Sequence, residues 1–511
     1  MPWIHRLAGP ALALCLVFSG CTSKPVQNIT SSTAVLQPVE NEEIPAENTR
    51  KEWLKSFLNG SSSQQEEEEN PGTALPQETP SEEAQSSASS SESASSQPVS
   101  PEETLTVPDT TTAVSSSTPA PVSSQPESST PAQSESTPAT SVRYDDELRG
   151  IWISYLDFDT LLKKQSASAF QKNIESAFDQ IAALGLNTVF VQVRPYGDAL
   201  YPSEIFPWSH TVTGEEGVTP GFDPLEIVVD AAHSRGLRIE AWINPYRIRN
   251  ANTTAELCSS NPAAAFLAQG SDAVLQYGSL ISYNPASETA RQLIVDGVKE
   301  IVRNYDVDGI HFDDYFYPTT DAAFDSVNYR SYQNAGGTLS LAQWRRQNVD
   351  LLIKACYKAI KSIDSSVSFG VSPQGNNDNN LNKQYVDVST WLSNAGYVDY
   401  ICPQIYFGFQ NSTAPYAQTV EMWNDMVRIP SVKLYIGLAA YKLGNEDTWA
   451  GDGKREWIGT TDILSRMVVT GRQASSYGGF VLFRYDSVFP ASGAGKQLSA
   501  ECSNLSELLN G

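Results

Sequence analysis

Two rhythms of apolar and polar positions run through residues 143–511. Short apolar runs alternate with longer stretches in which apolar residues recur every three or four positions. The runs have the length of buried strands, and the longer stretches have the period of amphipathic helices. Strands are predicted at 149–155, 187–193, 237–243, 309–312, 368–371, 398–402, 433–438 and 479–483. Helices are predicted between them, at 168–184, 224–234, 287–304, 341–362, 416–427 and 461–475. Gly185, Gly236 and Gly396 fall where helix-ending glycines belong. Eight strands, each followed by a helix, is the count of an α/β protein of the (β/α)8 TIM-barrel type. The competing architecture is an open doubly wound sheet. It usually carries a Gly-rich phosphate turn after an early strand, and none occurs here.

The pattern is different upstream. Residues 1–21 read as a signal peptide, with His5 and Arg6 ahead of an apolar run from Leu7 to Phe18 that is too short to span a bilayer. The run ends in Phe18-Ser19-Gly20-Cys21, which resembles a bacterial lipoprotein processing site with Cys21 as the lipidated residue. Lipidation would anchor the chain to the outer face of the cell membrane. Residues 22–142 are rich in Ser, Thr, Pro, Glu and Gln, with 18 acidic and 4 basic residues. Such a segment cannot bury enough apolar surface to offset its ordering entropy, and its charge keeps it extended. A disordered tether is the expectation, with the barrel occupying 143–511. The chain carries a net −25 at pH 7, which argues against a nucleic-acid partner.

In a barrel every strand ends on one rim, and that rim is where such folds do chemistry. The fourth strand runs Asp308-Gly309-Ile310-His311-Phe312 into Asp313-Asp314-Tyr315. Two adjacent carboxyls drive one pKa up, which suits a general acid. Asp313 and Asp314 are therefore the candidate catalytic pair. The other strand ends supply Arg194, Tyr196 and Asp198, then Trp242, Asn244, Tyr246 and Arg247, then Tyr315, Gln404, Tyr406 and Arg484. Aromatic faces stack on sugar rings, and amides and carboxylates bind hydroxyls, so this set is read as substrate-binding and the ligand as a polysaccharide. Cys258, Cys356, Cys402 and Cys502 show no paired spacing, so no metal or other cofactor is expected and no disulfide is assigned. A metal-dependent deacetylase using His311 is a weaker idea, since the chain has 4 His and none close to it in sequence.

Several runs resemble the glycosyl hydrolase-like family 10. They are Leu148-Arg149-Gly150-Ile151-Trp152, the stretch from Val191-Gln192-Val193-Arg194 to Tyr201-Pro202-Ser203, Ala241-Trp242-Ile243-Asn244-Pro245-Tyr246-Arg247, Asp313-Asp314-Tyr315-Phe316-Tyr317-Pro318 and Pro403-Gln404-Ile405-Tyr406. The resemblance implies a bacterial, often lipoprotein, TIM-barrel glycoside hydrolase, with one branch acting on peptidoglycan strands stripped of their peptides. The chain departs from the family pattern after the fifth strand. There it carries Ser372-Pro373-Gln374-Gly375-Asn376-Asn377 in place of Ser-Pro-Phe-Gly and an aromatic.

Two retaining mechanisms fit. Asp313 resembles the nucleophile that closes the fourth strand of amylase-type barrels, but a partner acid about 5–5.5 Å away is then needed. The ends of strands five and six offer no carboxylate. Alternatively the substrate's 2-acetamido group is the nucleophile, as the Asp-Asp doublet of some N-acetylglucosaminidases suggests, with Asp313 orienting it and Asp314 as acid and base. The expectation is a surface-anchored glycosidase acting on an amino-sugar polymer of the cell wall. The alternative is a glycan-binding lipoprotein that keeps the groove without turnover.

Overall fold

The computed structural model describes residues 146–250 and 256–511. The signal peptide, Cys21 and the tether lie outside the described residues. Eight parallel strands close into a barrel: Leu148–Ile153, Thr188–Arg194, Arg238–Ile243, Gly309–Phe312, Ser368–Val371, Tyr400–Ile401, Lys433–Leu438 and Tyr477–Leu482. They follow one another around the ring in chain order, and the first pairs with the eighth, Leu148 opposite Gly479 through Ile151 opposite Leu482. The eight predicted strands are these eight. The sixth shortens to two residues, and the eighth starts two residues early.

The predicted helices form the outer layer as Ala167–Leu184, Pro224–His233, Glu288–Asn304, Leu341–Ile363, Tyr416–Met426 and Ile463–Gly471. Their ends are set locally. Ser166 accepts from the Ala169 amide, and Gly185 closes the same helix at φ +97°. Ser340 and Gln343 form a reciprocal capping box. A closing helix, Lys496–Asn510, was not foreseen. It buries Glu501, whose carboxylate accepts from the amides of Ile463 and Leu464 at 3.0 and 3.2 Å and so caps the preceding helix.

The barrel bore is crowded with large and polar side chains, and glycines make room for them. A Cβ on Gly309 would overlap the Glu240 carboxylate, and one on Gly370 would overlap the Tyr400 ring. The loop after the third strand builds an unforeseen antiparallel sheet of Arg247–Arg249, Val274–Tyr277 and Leu280–Tyr283. Arg247 sits in it opposite Ser282, which fixes that arginine on the rim.

Candidate active site

Asp313 follows the fourth strand and lies two residues beyond His311, so both face the bore. Its carboxylate accepts from Asn244 Nδ2 and Gln404 Nε2, each at 3.3 Å, and from the Asp314 amide at 2.8 Å. Gln404 also donates to the Ser372 carbonyl at 3.0 Å. Asn244 is held from behind. Gln192 Nε2 donates to Asn244 Oδ1 at 2.6 Å, and Gln192 Oε1 accepts from the Tyr155 amide at 3.0 Å. Donors thus point one way along the row, from the first strand toward Asp313.

Asp314 is buried beside it, and its Oδ1 has no hydrogen-bond partner among the described residues. Burial, then the neighbouring Asp313 charge, push its carboxyl well above the usual carboxylate range. The side-chain amides of Gln374 and Gln384 pull weakly the other way, though neither closes a bond onto Oδ1.

Arg247 supplies the cation. Its guanidinium lies 4.7 Å from the Tyr196 ring centre and 4.6 Å from that of Tyr315, with Tyr155 at 5.8 Å. Its Nε donates to the Pro195 carbonyl at 2.8 Å, and its field reaches Asp313. A planar cation between aromatic faces keeps its charge while exposing one edge. Tyr406, packed against Tyr441 and Phe483, lines the rim at the ends of the sixth to eighth strands; its hydroxyl is pushed up first by burial and further by Tyr441 and both aspartates.

Other predicted residues are elsewhere. Arg194 is wholly buried and points away from Asp313. A shift in strand register between Gln192 and Arg194 turns it outward, where it lies 4.1 Å from the Phe206 ring centre against Gly297 of the helix layer. Arg194, read from the sequence as substrate-binding, therefore makes no contact with Asp313. It donates to the Pro245 carbonyl instead, at 3.3 Å. Asp198 contacts His210 at 3.1 Å, and Tyr246 packs on Phe316; both are buried behind the rim. Trp242 lines the bore edge-on to His311. Arg484 is ion-paired with the buried Asp157 and joins the eighth strand's end to the first's.

His311 lies beneath the carboxylates. Trp152 Nε1 donates to its Nε2 at 3.2 Å, so Nδ1 carries the proton and donates to Tyr400 Oη at 2.9 Å. Ser372 Oγ lies 3.0 Å from Nε2, and Tyr400 passes its own proton toward Glu240 at 3.1 Å. Burial pushes His311 down to about 3 and Glu240 up to about 7. Both His311 nitrogens are thus occupied, and among the described residues no cluster of three metal-ligating side chains occurs. Cys258, Cys356, Cys402 and Cys502 are free thiols. Gln192 is the functional neighbour that the sequence reading did not select. The inward alternation of Phe190 and Gln192 along the second strand was the available signal.

A closed parallel barrel that gathers carboxyls, amides and a stacked arginine at its strand ends belongs to the class of glycoside-hydrolase-like TIM barrels. Comparison with known proteins narrows this: the chain belongs to the family Glycosyl hydrolase-like 10, whose model matches residues 147–451. It is 37 % identical over 320 residues to the glycosyl hydrolase YngK of Bacillus subtilis (strain 168), covering 59 % of this chain and 62 % of that protein's length. It is 35 % identical over 383 residues to the glycosyl hydrolase DigH of Escherichia coli (strain K12), covering 68 % of this chain and 85 % of that one. Among solved structures, the glycoside hydrolase domain of PgaB (BpsB) from Bordetella bronchiseptica aligns with TM-score 0.48 at 14 % identity, over 70 % of this chain and 99 % of that domain.

Proposed function

We propose that this protein is a retaining glycoside hydrolase acting on an amino-sugar polymer, the peptide-free glycan strands of peptidoglycan, from an anchor on the outer face of the cell membrane. The observation that carries the reading is the unequal carboxyl pair. Asp313 sits among donors, as an acceptor-only carboxylate does, while Asp314 is buried against it with its carboxyl pushed upward. One fixed acceptor and one retained proton are what substrate-assisted hydrolysis asks of a protein.

In the first step, the Asp314 proton goes to the glycosidic oxygen as the C1–O bond breaks. The acetamide oxygen of the same sugar attacks C1 and closes an oxazoline-type ring, while Asp313 accepts the acetamide N–H and stabilises the charge that develops there. In the second step, Asp314 takes a proton from water, the water oxygen bonds to C1, the ring opens and configuration is retained. Arg247, Tyr196 and Tyr315 form a wall for the ring, and Asn244 and Gln404 hold Asp313 in place. The amides at the ends of the fifth and sixth strands, Gln374 and Gln404, favour this route over a covalent one, which needs a second carboxylate there. Anchoring rests on the Cys21 signal, and the acidic 22–142 segment supplies reach.

The test is product analysis by mass spectrometry after incubation with peptide-free peptidoglycan strands, then chitin oligomers. Shortened strands released by the wild type and not by Asp314→Asn support the reading. A glycosyl ester trapped on Asp313 by a 2-fluoro glycoside would replace substrate assistance with the covalent route. Binding without products from any amino-sugar polymer would leave a glycan-binding lipoprotein. For the anchor, a fatty-acid label should enter the full chain and not its Cys21→Ala variant.

A further inference from the structure

Trp449 is 68 % exposed, and its ring has no hydrogen-bond or ring partner among the described residues. A lone exposed apolar side chain needs no explanation by itself. Trp449 gains one from where it stands and how firmly it is held there. It belongs to the segment between the seventh strand, Lys433–Leu438, and the helix Ile463–Gly471. That segment leaves the strand on the same rim as Asp313.

The backbone around Trp449 is closely determined. The Asp447 amide donates to the Lys454 carbonyl at 2.8 Å, and the Ala450 amide to the Asp447 carbonyl at 3.0 Å. The Ser412 amide donates to the Ala450 carbonyl at 3.1 Å, which ties this loop to the one after the sixth strand. Glu456 strengthens the tie by accepting from the amides of Phe409 and Gln410 at 3.1 and 2.9 Å. Gly451 takes φ +60°, and a Cβ on Gly453 would overlap the Gln410 carbonyl, so both turns depend on glycine.

The same scaffold leads to the carboxylates. Lys442 Nζ donates to the Tyr406 carbonyl at 2.7 Å and to Asp447 at 2.6 Å. Tyr406 is two residues from Gln404, which holds Asp313. A rigid frame thus links the site to a tryptophan that leaves most of its surface in solvent.

We propose that Trp449 is an outer stacking platform for a pyranose ring of the bound glycan, some sugars away from the bond that is cut. The proposal rests on the polysaccharide reading above and deepens it, because it makes the protein a reader of chain length. An indole face is flat, apolar and rigid, and it matches the axial C–H face of a pyranose. Because the loop is ordered in advance, little conformational entropy is lost on binding.

The experiment compares the full chain with Trp449→Ala and Trp449→Phe on length series of chitin oligomers, peptide-free peptidoglycan strands and, as neutral controls, cello- and manno-oligomers. Affinity is read by calorimetry. In the wild type, affinity should rise when the chain becomes long enough to reach the platform. In Trp449→Ala the ratio of long-chain to short-chain affinity should fall about tenfold, the loss expected for one well-stacked ring. Trp449→Phe should recover most of it, and melting temperatures should agree for all three proteins. A length dependence identical in wild type and Trp449→Ala overturns the platform. If amino-sugar chains fail to bind while a neutral series shows the Trp449-dependent step, the substrate reading falls and the platform stands. If no series shows that step, the platform falls.

Discussion

Gln192 Nε2 lies 2.6 Å from Asn244 Oδ1, and this contact decides which end of Asn244 meets Asp313. With its oxygen taken, Asn244 presents its nitrogen, a donor, to the carboxylate at 3.3 Å. Gln192 bonds to the Tyr155 amide and to Asn244 and not to either aspartate, so its role is to position. Asn244→Ala should lower kcat/KM about 100-fold, the scale of one lost preorganised donor. Gln192→Ala should cost about tenfold, in kcat more than in KM. Gln192→Glu, which offers Asn244 a second acceptor in place of a donor, should be worse than Gln192→Ala. If Gln192→Glu equals wild type in steady-state kinetics, the amide row does not orient Asn244.

The Asp313 charge is one reason that the Asp314 proton is held. Asp313→Asn removes that charge and leaves the burial. The Asp314 carboxyl should then titrate at lower pH, and the alkaline limb of the residual pH–rate profile should move toward acid. Activity on activated aryl glycosides supplies the signal for the measurement. An alkaline limb that stays in place would mean that another group is the acid.

Asp314 also costs stability where it ionises. Its folded pKa lies above the ordinary 3.8, so stability is lost as pH rises from there through the folded value. Asp314→Asn should therefore raise the melting temperature near pH 8 while abolishing turnover of unactivated substrates. The gain should be about 1–3 kcal/mol, the usual penalty for an unpaired buried polar group. At pH 3 the gain should vanish.

Arg194 and Arg247 should separate cleanly. Arg194→Ala opens space against Phe206 and Gly297 and should destabilise the fold by about 3 kcal/mol in denaturant melts. Arg247→Ala, on a half-buried rim position, should instead lower kcat/KM about 100-fold with a far smaller shift in melting. The reverse pattern would return Arg194 to the site.

Glu240 gives a second pH signature, on the barrel floor. Its folded pKa of about 7 exceeds the ordinary 4.5, so the stability it leaves intact below pH 4.5 is lost between there and about pH 7. Glu240→Gln should widen its stability margin over wild type across that interval. Thermal melts at pH 4.5 and 8 suffice; equal margins at both would refute the assignment.

The barrel was legible because parallel strands buried on both faces read as plain apolar runs, and Thr188–Arg194 is buried at every position. The placement of Asp313 and Asp314 followed from the strand's end alone. Arg194 did not, because one register shift beside Gln192 reverses where the next side chain points. Gln192 did not, because its partner is 52 positions away in the chain and meets it only when the second strand pairs with the third. The sheet that carries Arg247 escaped notice because its three short strands gain their pairing from one another, across a loop whose sequence has no strong alternation of its own.

The row from Trp152 through His311 and Tyr400 to Glu240 has an electrical consequence. With His311 neutral, none of the four side chains in this row is a formal cation. Nothing in that row sends a compensating field upward, so the load on Asp313 is met sideways by amides and from the rim by Arg247. The balance between the two aspartates is thereby wired to the outer surface. A sugar that slides between Arg247 and Asp313 would weaken the field of Arg247 on Asp313, tighten the proton on Asp314 and ready the acid at the moment the chain arrives.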